Sequence, residues 1–121
     1  MKENNISVYQ GYDSDKYLDN LIKDLKSDYL VLSPYGNKND KLLSEGDLMI
    51  SLLEEFINKV KNADASVPVF IFGVFDRIDE NVDIKPYIKK LLNSKKTVYI
   101  SVLPNFNTDC FIELNMPIFK V

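Results

Sequence analysis

The chain has no histidine. That absence excludes a Ser-His-Asp triad, a Cys-His pair, a histidine zinc site and the usual proton carrier at neutral pH. Cysteine occurs once, at Cys110, so neither an internal disulfide nor a multi-cysteine zinc site is available. Tryptophan is absent, and Arg77 is the only arginine. The four glycines form neither a GxGxxG nor a Walker loop. A phosphate cradle needs several glycines, because its amides must approach the anion without Cβ clashes. No motif implies a cofactor or a metal centre.

Long apolar runs are missing too. The longest, "VPVFIFGVF" (Val67 to Phe75), is strand-length, whereas a bilayer-crossing helix needs about 18 apolar residues. The opening "MKENNISVYQ" lacks the apolar core of a signal peptide. With a single cysteine, this leads us to expect a cytoplasmic, reducing location and no membrane partner. The net charge is −3 and the sequence pI is near 4.9. A nucleic-acid binder carries a basic face that neutralises phosphates, so no nucleic-acid partner is expected. The one cation-rich run, "IKKLLNSKK", is cut by apolar residues at helical spacing and reads as a solvated helix face. Twelve asparagines, 14 lysines and one arginine fit an AT-rich genome and carry no functional content.

What is present is ordinary for a folded chain: 45% hydrophobic and 27% charged residues. Residues 1–121 form one domain, long enough to bury roughly two-thirds of the unfolded surface without staples. There is no internal repeat and no linker. "PYGNKND" and "PNFNTD" are rich in turn residues and too short to separate domains.

Strand and helix signals alternate. "ISVYQ" and "DYLVLS" read as strands, the second stopped by Pro34 and Gly36. Between them Tyr17, Leu18, Leu21, Ile22 and Leu25 make one helical stripe, predicting a helix from Asp15 to Ser27. The strongest helix signal runs from Asp47 to Asn62, with Ser44 and Asp47 spaced as a capping box. "VPVFIFGVF" is apolar on both faces, as a central parallel strand is when helices cover both sides. A third helix is predicted from Ile84 to Leu92. Asp83 would cap it, and Pro86 falls in the first turn, where amides lack intrahelical partners. "TVYISVL" is a fourth strand. For residues 105–121 we expect a short helix followed by an edge strand at "PIFKV", with two short strands around "NMP" as the alternative.

Four βα steps in order imply a parallel sheet with right-handed crossovers. The expected fold is α/β: a three-layer αβα sandwich on a four- to five-stranded, mainly parallel sheet, Rossmann-like or flavodoxin-like. In such a fold the carboxyl ends of the strands share one edge, where ligands bind. "QGYDSD", "SPYGNKND", "FDRIDEN" and "LPNFNTD" would converge there. Tyr12, Asp13, Tyr35, Asp76, Arg77 and Glu80 are the candidate ligand-binding residues. No residue is assigned a catalytic or metal-ligating role.

Each candidate also has a plainer role. Asp13 or Ser14 reads as a helix cap and Asp15 as a first-turn acid that meets the helix dipole. Arg77 has the fork to clamp a carboxylate or phosphate, but surface pairing with a nearby acid is commoner. Asp13, Asp15, Asp76 and Asp79 have the chemistry to hold Mg²⁺, although acidic loops are usually solvated. Without histidine, catalysis would rest on a carboxylate, a tyrosine or the thiol. Glu80 and Glu113 are the glutamates in position. Cys110, flanked by apolar residues in "TDCFIEL", reads as a buried structural thiol.

Two resemblances accompany these residues. Asp13, Asp76 and Lys120 follow the order of acids, phospho-acceptor and lysine seen in two-component receiver domains. Here, however, the first acids sit beyond a glycine and a tyrosine. "EGDLMISLLEEFINKVKNADASVPVFIFG" loosely resembles the helix-then-strand middle of TIR domains and of nucleoside 2-deoxyribosyltransferases. It covers about a quarter of the chain. Both families are small αβα sandwiches that cleave or exchange N-glycosidic bonds with a glutamate. That resemblance would give Glu80 this role, though "VFDRIDENVDI" lacks the neighbours those families show.

Aromatic residues make up 12% of the chain. Tyr12, Tyr35 and Phe106 fall in the predicted loops, where they would stack a ligand, anchor a protein interface or lid the core. The expected function is therefore a non-catalytic α/β module that binds an unidentified protein partner or self-associates. The alternative is a protein that binds a nucleoside-like or nucleotide ligand, or an enzyme acting on N-glycosidic bonds.

Overall fold

Five strands lie side by side, all pointing the same way, in the computed structural model of the chain. The structure describes residues 5–33, 46–75 and 82–121, with residues 46–50 described by their backbone alone. The elements follow in the order β1 (Ile6–Gln10), α1 (Ser14–Asp24), β2 (Leu30–Leu32), α2 (Gly46–Asn62), β3 (Val69–Ile71), α3 (Lys85–Asn93), β4 (Val98–Val102), α4 (Asp109–Glu113) and β5 (Ile118–Lys120). The tail is a short helix and an edge strand, the first of the two arrangements its sequence allowed.

The sheet order is β2-β3-β4-β1-β5. The step from β1 to β2 runs across the sheet in one direction, and every later step runs in the other. Right-handed crossovers then put α1 on one face and α2, α3 and α4 on the opposite face. Two separate cores agree with that wind. Ile6, Val8, Val69, Ile71, Val98 and Ile100 pack with Leu53, Phe56 and Val60 of α2, Ile88 and Leu91 of α3, and Phe111 of α4. On the other side Tyr9 and Phe70 pack with Leu18 of α1, against which Leu21, Ile22, Leu25, Phe72 and Tyr99 close. The architecture is a three-layer αβα sandwich. Its strand order is neither the 2-1-3-4-5 of flavodoxin-like sheets nor the 3-2-1-4-5-6 of the Rossmann arrangement, because β1 is inserted between β4 and β5.

Side-chain alternation explains the two cores. Residues 6, 8 and 10 of β1 face the three-helix layer, and Tyr9 faces α1. Asn5 sets the register at the amino edge. Its side-chain amide donates to the carbonyl of Lys96 at 2.6 Å, just before β4 begins. At the start of α3, Asp83 accepts the amide of Lys85 at 3.0 Å, and Pro86 sits in the first turn. The predicted capping box at Ser44 and Asp47 lies outside the described side chains.

Candidate functional site

At the carboxyl edge, β1 and β4 are neighbours whose following helices go to opposite faces of the sheet. This is a topological switch point, where open α/β sheets bind ligands. Gln10, Ser14 and Ser101 gather there, all buried. The Gln10 side-chain amide donates to the carbonyls of Pro104 and Phe106, each at 3.0 Å, with a longer contact to Leu103 at 3.4 Å. Its oxygen accepts the Lys120 ammonium. Ser14 donates to the carbonyl of Val102 at 3.2 Å, and Ser101 donates to the Asp15 carboxylate. Each is thus engaged within the chain: Gln10 by the β4–α4 loop and Lys120, Ser14 by β4, and Ser101 by Asp15.

The start of α1 differs from the expected cap. Asp13 occupies the N-cap position, but its side chain makes no capping hydrogen bond. Ser14 turns inward to β4. Asp15 lies in the first turn and accepts from Ser101, because β4 passes directly beneath α1. Gly11 is required here for another reason. Its φ is +155°, and a Cβ would lie 1.7 Å from the carbonyl oxygen of Val121.

Of the candidate ligand-binding residues, Tyr12 and Asp13 stand together, exposed, on the β1–α1 turn. Tyr12 is 88% exposed. Tyr35, Asp76, Arg77 and Glu80 lie outside the described residues, as does Asp79. Phe106 is half-buried and meets Phe75 and Phe111 at 6.3 and 5.9 Å, so this ring lids the three-helix core. Lys120, the lysine of the receiver-like order, binds Gln10.

The remaining chemically capable groups have structural surroundings. Cys110 is half-buried, and burial raises its thiol pKa, which keeps it protonated at neutral pH. Glu113 pairs with Lys85. Among the described residues no three carboxylate or thiol groups are placed to hold a metal ion, and no helix is long and apolar enough to cross a membrane.

One element of the cation-rich run departs from its reading as a solvated face. Lys89, Lys90 and Lys95 are exposed, but Lys96 is buried. It follows the helix, and its ammonium donates to the carbonyl of Ala63 just beyond α2. Lysine side chains favour such carbonyls at helix C-termini.

The feature that sequence reading missed lies on the α1 face. Phe119 stacks on Tyr9 at 5.1 Å, Tyr9 tilts against Tyr99 at 6.3 Å, and Tyr99 stacks on Phe70 at 5.0 Å. Tyr29 meets the edge of Phe70 at 6.2 Å, and Tyr17 of α1 stacks on Tyr9 at 4.8 Å. The rings therefore span the sheet from β5 to the residue preceding β2. Among the described residues only α1 covers them. Phe119 is 45% exposed and Tyr17 41%, and Tyr29 and Val31 are exposed at the opposite edge. The available signal was alternation: Tyr9 and Tyr99 occupy equivalent places in "SVYQ" and "TVYI", on the face opposite the aliphatic residues.

No family model, no curated protein and no solved structure matches this chain.

Proposed function

We propose that the chain is a non-catalytic cytoplasmic module that works through protein–protein contact, made with the α1 face of its sheet. The observation that carries this reading is the ring array that, among the described residues, α1 alone covers. Exposed aromatic residues set on a rigid sheet supply large contact area at little conformational cost, and such rings are enriched where interfaces concentrate their energy. The hydrogen-bonded carboxyl edge supports the same reading, since Gln10, Ser14 and Ser101 already have partners within the chain.

The test is light scattering at rising concentration, together with affinity capture by the wild-type chain and by the Tyr17→Lys and Tyr29→Lys variants. An oligomer or a captured protein lost in either variant is expected. A monomer whose captured proteins are the same in all three chains counts against the reading.

A second reading rests on Tyr12 and Asp13, exposed together beside the switch point: a nucleoside-like ligand stacked on Tyr12. A thermal-shift screen with nucleosides, nucleotides and NAD distinguishes it. A ligand at a hundredfold excess over its Kd stabilises the fold by roughly 2.7 kcal/mol.

A further inference from the structure

Resting on the protein-contact reading, we infer that the aromatic face between α1 and β5 docks a basic amphipathic helix of a partner protein. Phe119 of β5 and Tyr17 of α1 both stack on the buried ring of Tyr9, so Tyr17 forms the helix side, or wall, of this face. Phe119, Tyr17 and Val121 leave apolar surface exposed along it. The three-helix layer covers the other side of β1, but here α1 lies toward β4 and no described helix covers β5.

The charge pattern selects the occupant. Helical periodicity places Asp13, Asn20 and Asp24 on the stripe of Tyr17, being four before, three after and seven after it. All three are exposed, and the exposed cations Lys16 and Lys23 lie on the next stripe, farther round the helix from Tyr17. The wall therefore has an acid at each end, about 16 Å apart at 1.5 Å rise per residue. Lys120, the cation of β5, is on the opposite face and bound to Gln10. A second copy of this chain docked through the same face would set Asp13 and Asp24 against the same acids. A helix with apolar residues at i, i+3 or i+4 and i+7, flanked by lysine or arginine about three turns apart, meets both the rings and the acids.

The test uses two labelled model peptides of the same apolar spacing, one leucine–lysine and one leucine–glutamate, with fluorescence anisotropy on the full chain. The lysine peptide is expected to bind and the glutamate peptide to bind at least about tenfold more weakly. Tyr17→Lys and Phe119→Ser should each weaken the lysine peptide about tenfold. Asp13→Asn with Asp24→Asn should weaken it less and flatten its salt dependence. Ile112→Ser, at an exposed position of α4, should leave it unchanged. Phe119→Ser alters an edge strand, whereas Tyr17→Lys changes an exposed helix position, so the second variant keeps the result readable if the first unfolds.

Equal binding of both peptides overturns the inference. So does lysine-peptide binding that is indifferent to Tyr17→Lys and Phe119→Ser, which would be general attraction to an acidic protein. A homodimer dissolved by those two variants overturns the basic helix as occupant while leaving the face a contact surface. A monomer that binds neither peptide also overturns the basic helix, and the wider reading then stands on the capture experiment above.

Discussion

The carbonyl oxygen of Val121 occupies the space that a Cβ on Gly11 would need, at 1.7 Å. The Val121 amide donates to the carbonyl of Gln10 at 2.9 Å, so the two segments are held in contact rather than merely adjacent. The clash is with backbone and not with the tip of a flexible side chain. Gly11→Ala should therefore cost roughly 1–3 kcal/mol, from the strained φ and the forced displacement of β5. Urea unfolding should show a lower midpoint. Amide exchange should quicken at Val121 and at Val8, whose N–H donates to Pro117. An unchanged midpoint would show that β5 does not need this approach.

Gln10 is the second element that fixes the carboxyl edge. It is 4% exposed, and its amide group serves the carbonyls of Pro104 and Phe106 while its oxygen serves Lys120. Gln10→Leu keeps the volume and removes every one of those bonds. Leaving buried polar groups unsatisfied costs about 1–3 kcal/mol. Loosening of residues 103–106 should accompany the loss, visible as faster proteolysis or exchange in that loop. Equal stability, with the loop as well protected as before, would contradict this account.

Much of the architecture was legible because parallel sheets leave strong signals. "ISVYQ" coincides with β1, and the apolar stretch around Phe70 marks a strand buried on both faces. Strand order was not legible. It depends on which neighbour β1 pairs with, and Ile6 pairs with Val98 across a separation that no local pattern encodes. Tyr12 and Asp13 lie together on one exposed turn, and the other four candidates fall outside the described residues. The aromatic face went unread for a physical reason. A tyrosine on a sheet covered by several helices and one on a sheet covered by a single helix have the same local sequence. Exposure at Phe119 and Tyr17 is decided by how many helices share the layer. Lys96 was misread similarly, since its burial comes from the distant carbonyl of Ala63.

Tyr9 links the ring array to pH. Burial first, then the neighbouring Tyr17 and Tyr99, raise its pKa above the ordinary phenol value. The folded state therefore favours the protonated phenol. That stabilisation is complete below about pH 10, where the unfolded phenol begins to ionise, and it is lost as pH rises through the higher folded value. Tyr9→Phe should leave stability near neutral pH little changed and flatten the alkaline fall. Urea midpoints across the alkaline range check this. An alkaline limb equally steep in both chains would assign the fall to other groups.

Lys96 poses a contest between two effects of opposite sign. Its buried ammonium loses hydration, which Lys96→Met would relieve at nearly constant volume. The same change strips the Ala63 carbonyl of a charged donor, and such bonds contribute about 1.5–3 kcal/mol. The position decides the sign. Ala63 continues directly from α2, where the aligned carbonyls favour a cation, so the lysine meets a field that offsets part of its desolvation. We expect Lys96→Met to cost roughly 1–2 kcal/mol, less than the full bond, because relief of desolvation returns some of it. A second readout isolates the charge from the packing. The Asp64 carboxyl is held below its ordinary pKa, chiefly by the amide and hydroxyl of Ser66 and further by the Lys96 charge. In Lys96→Met its titration should move upward, toward the ordinary carboxylate range, yet stay below it because both Ser66 bonds remain. Carboxyl titration by NMR measures that step. A variant more stable than wild type, with Asp64 titrating as before, would show that the ammonium acts on neither the helix end nor the acid beside it.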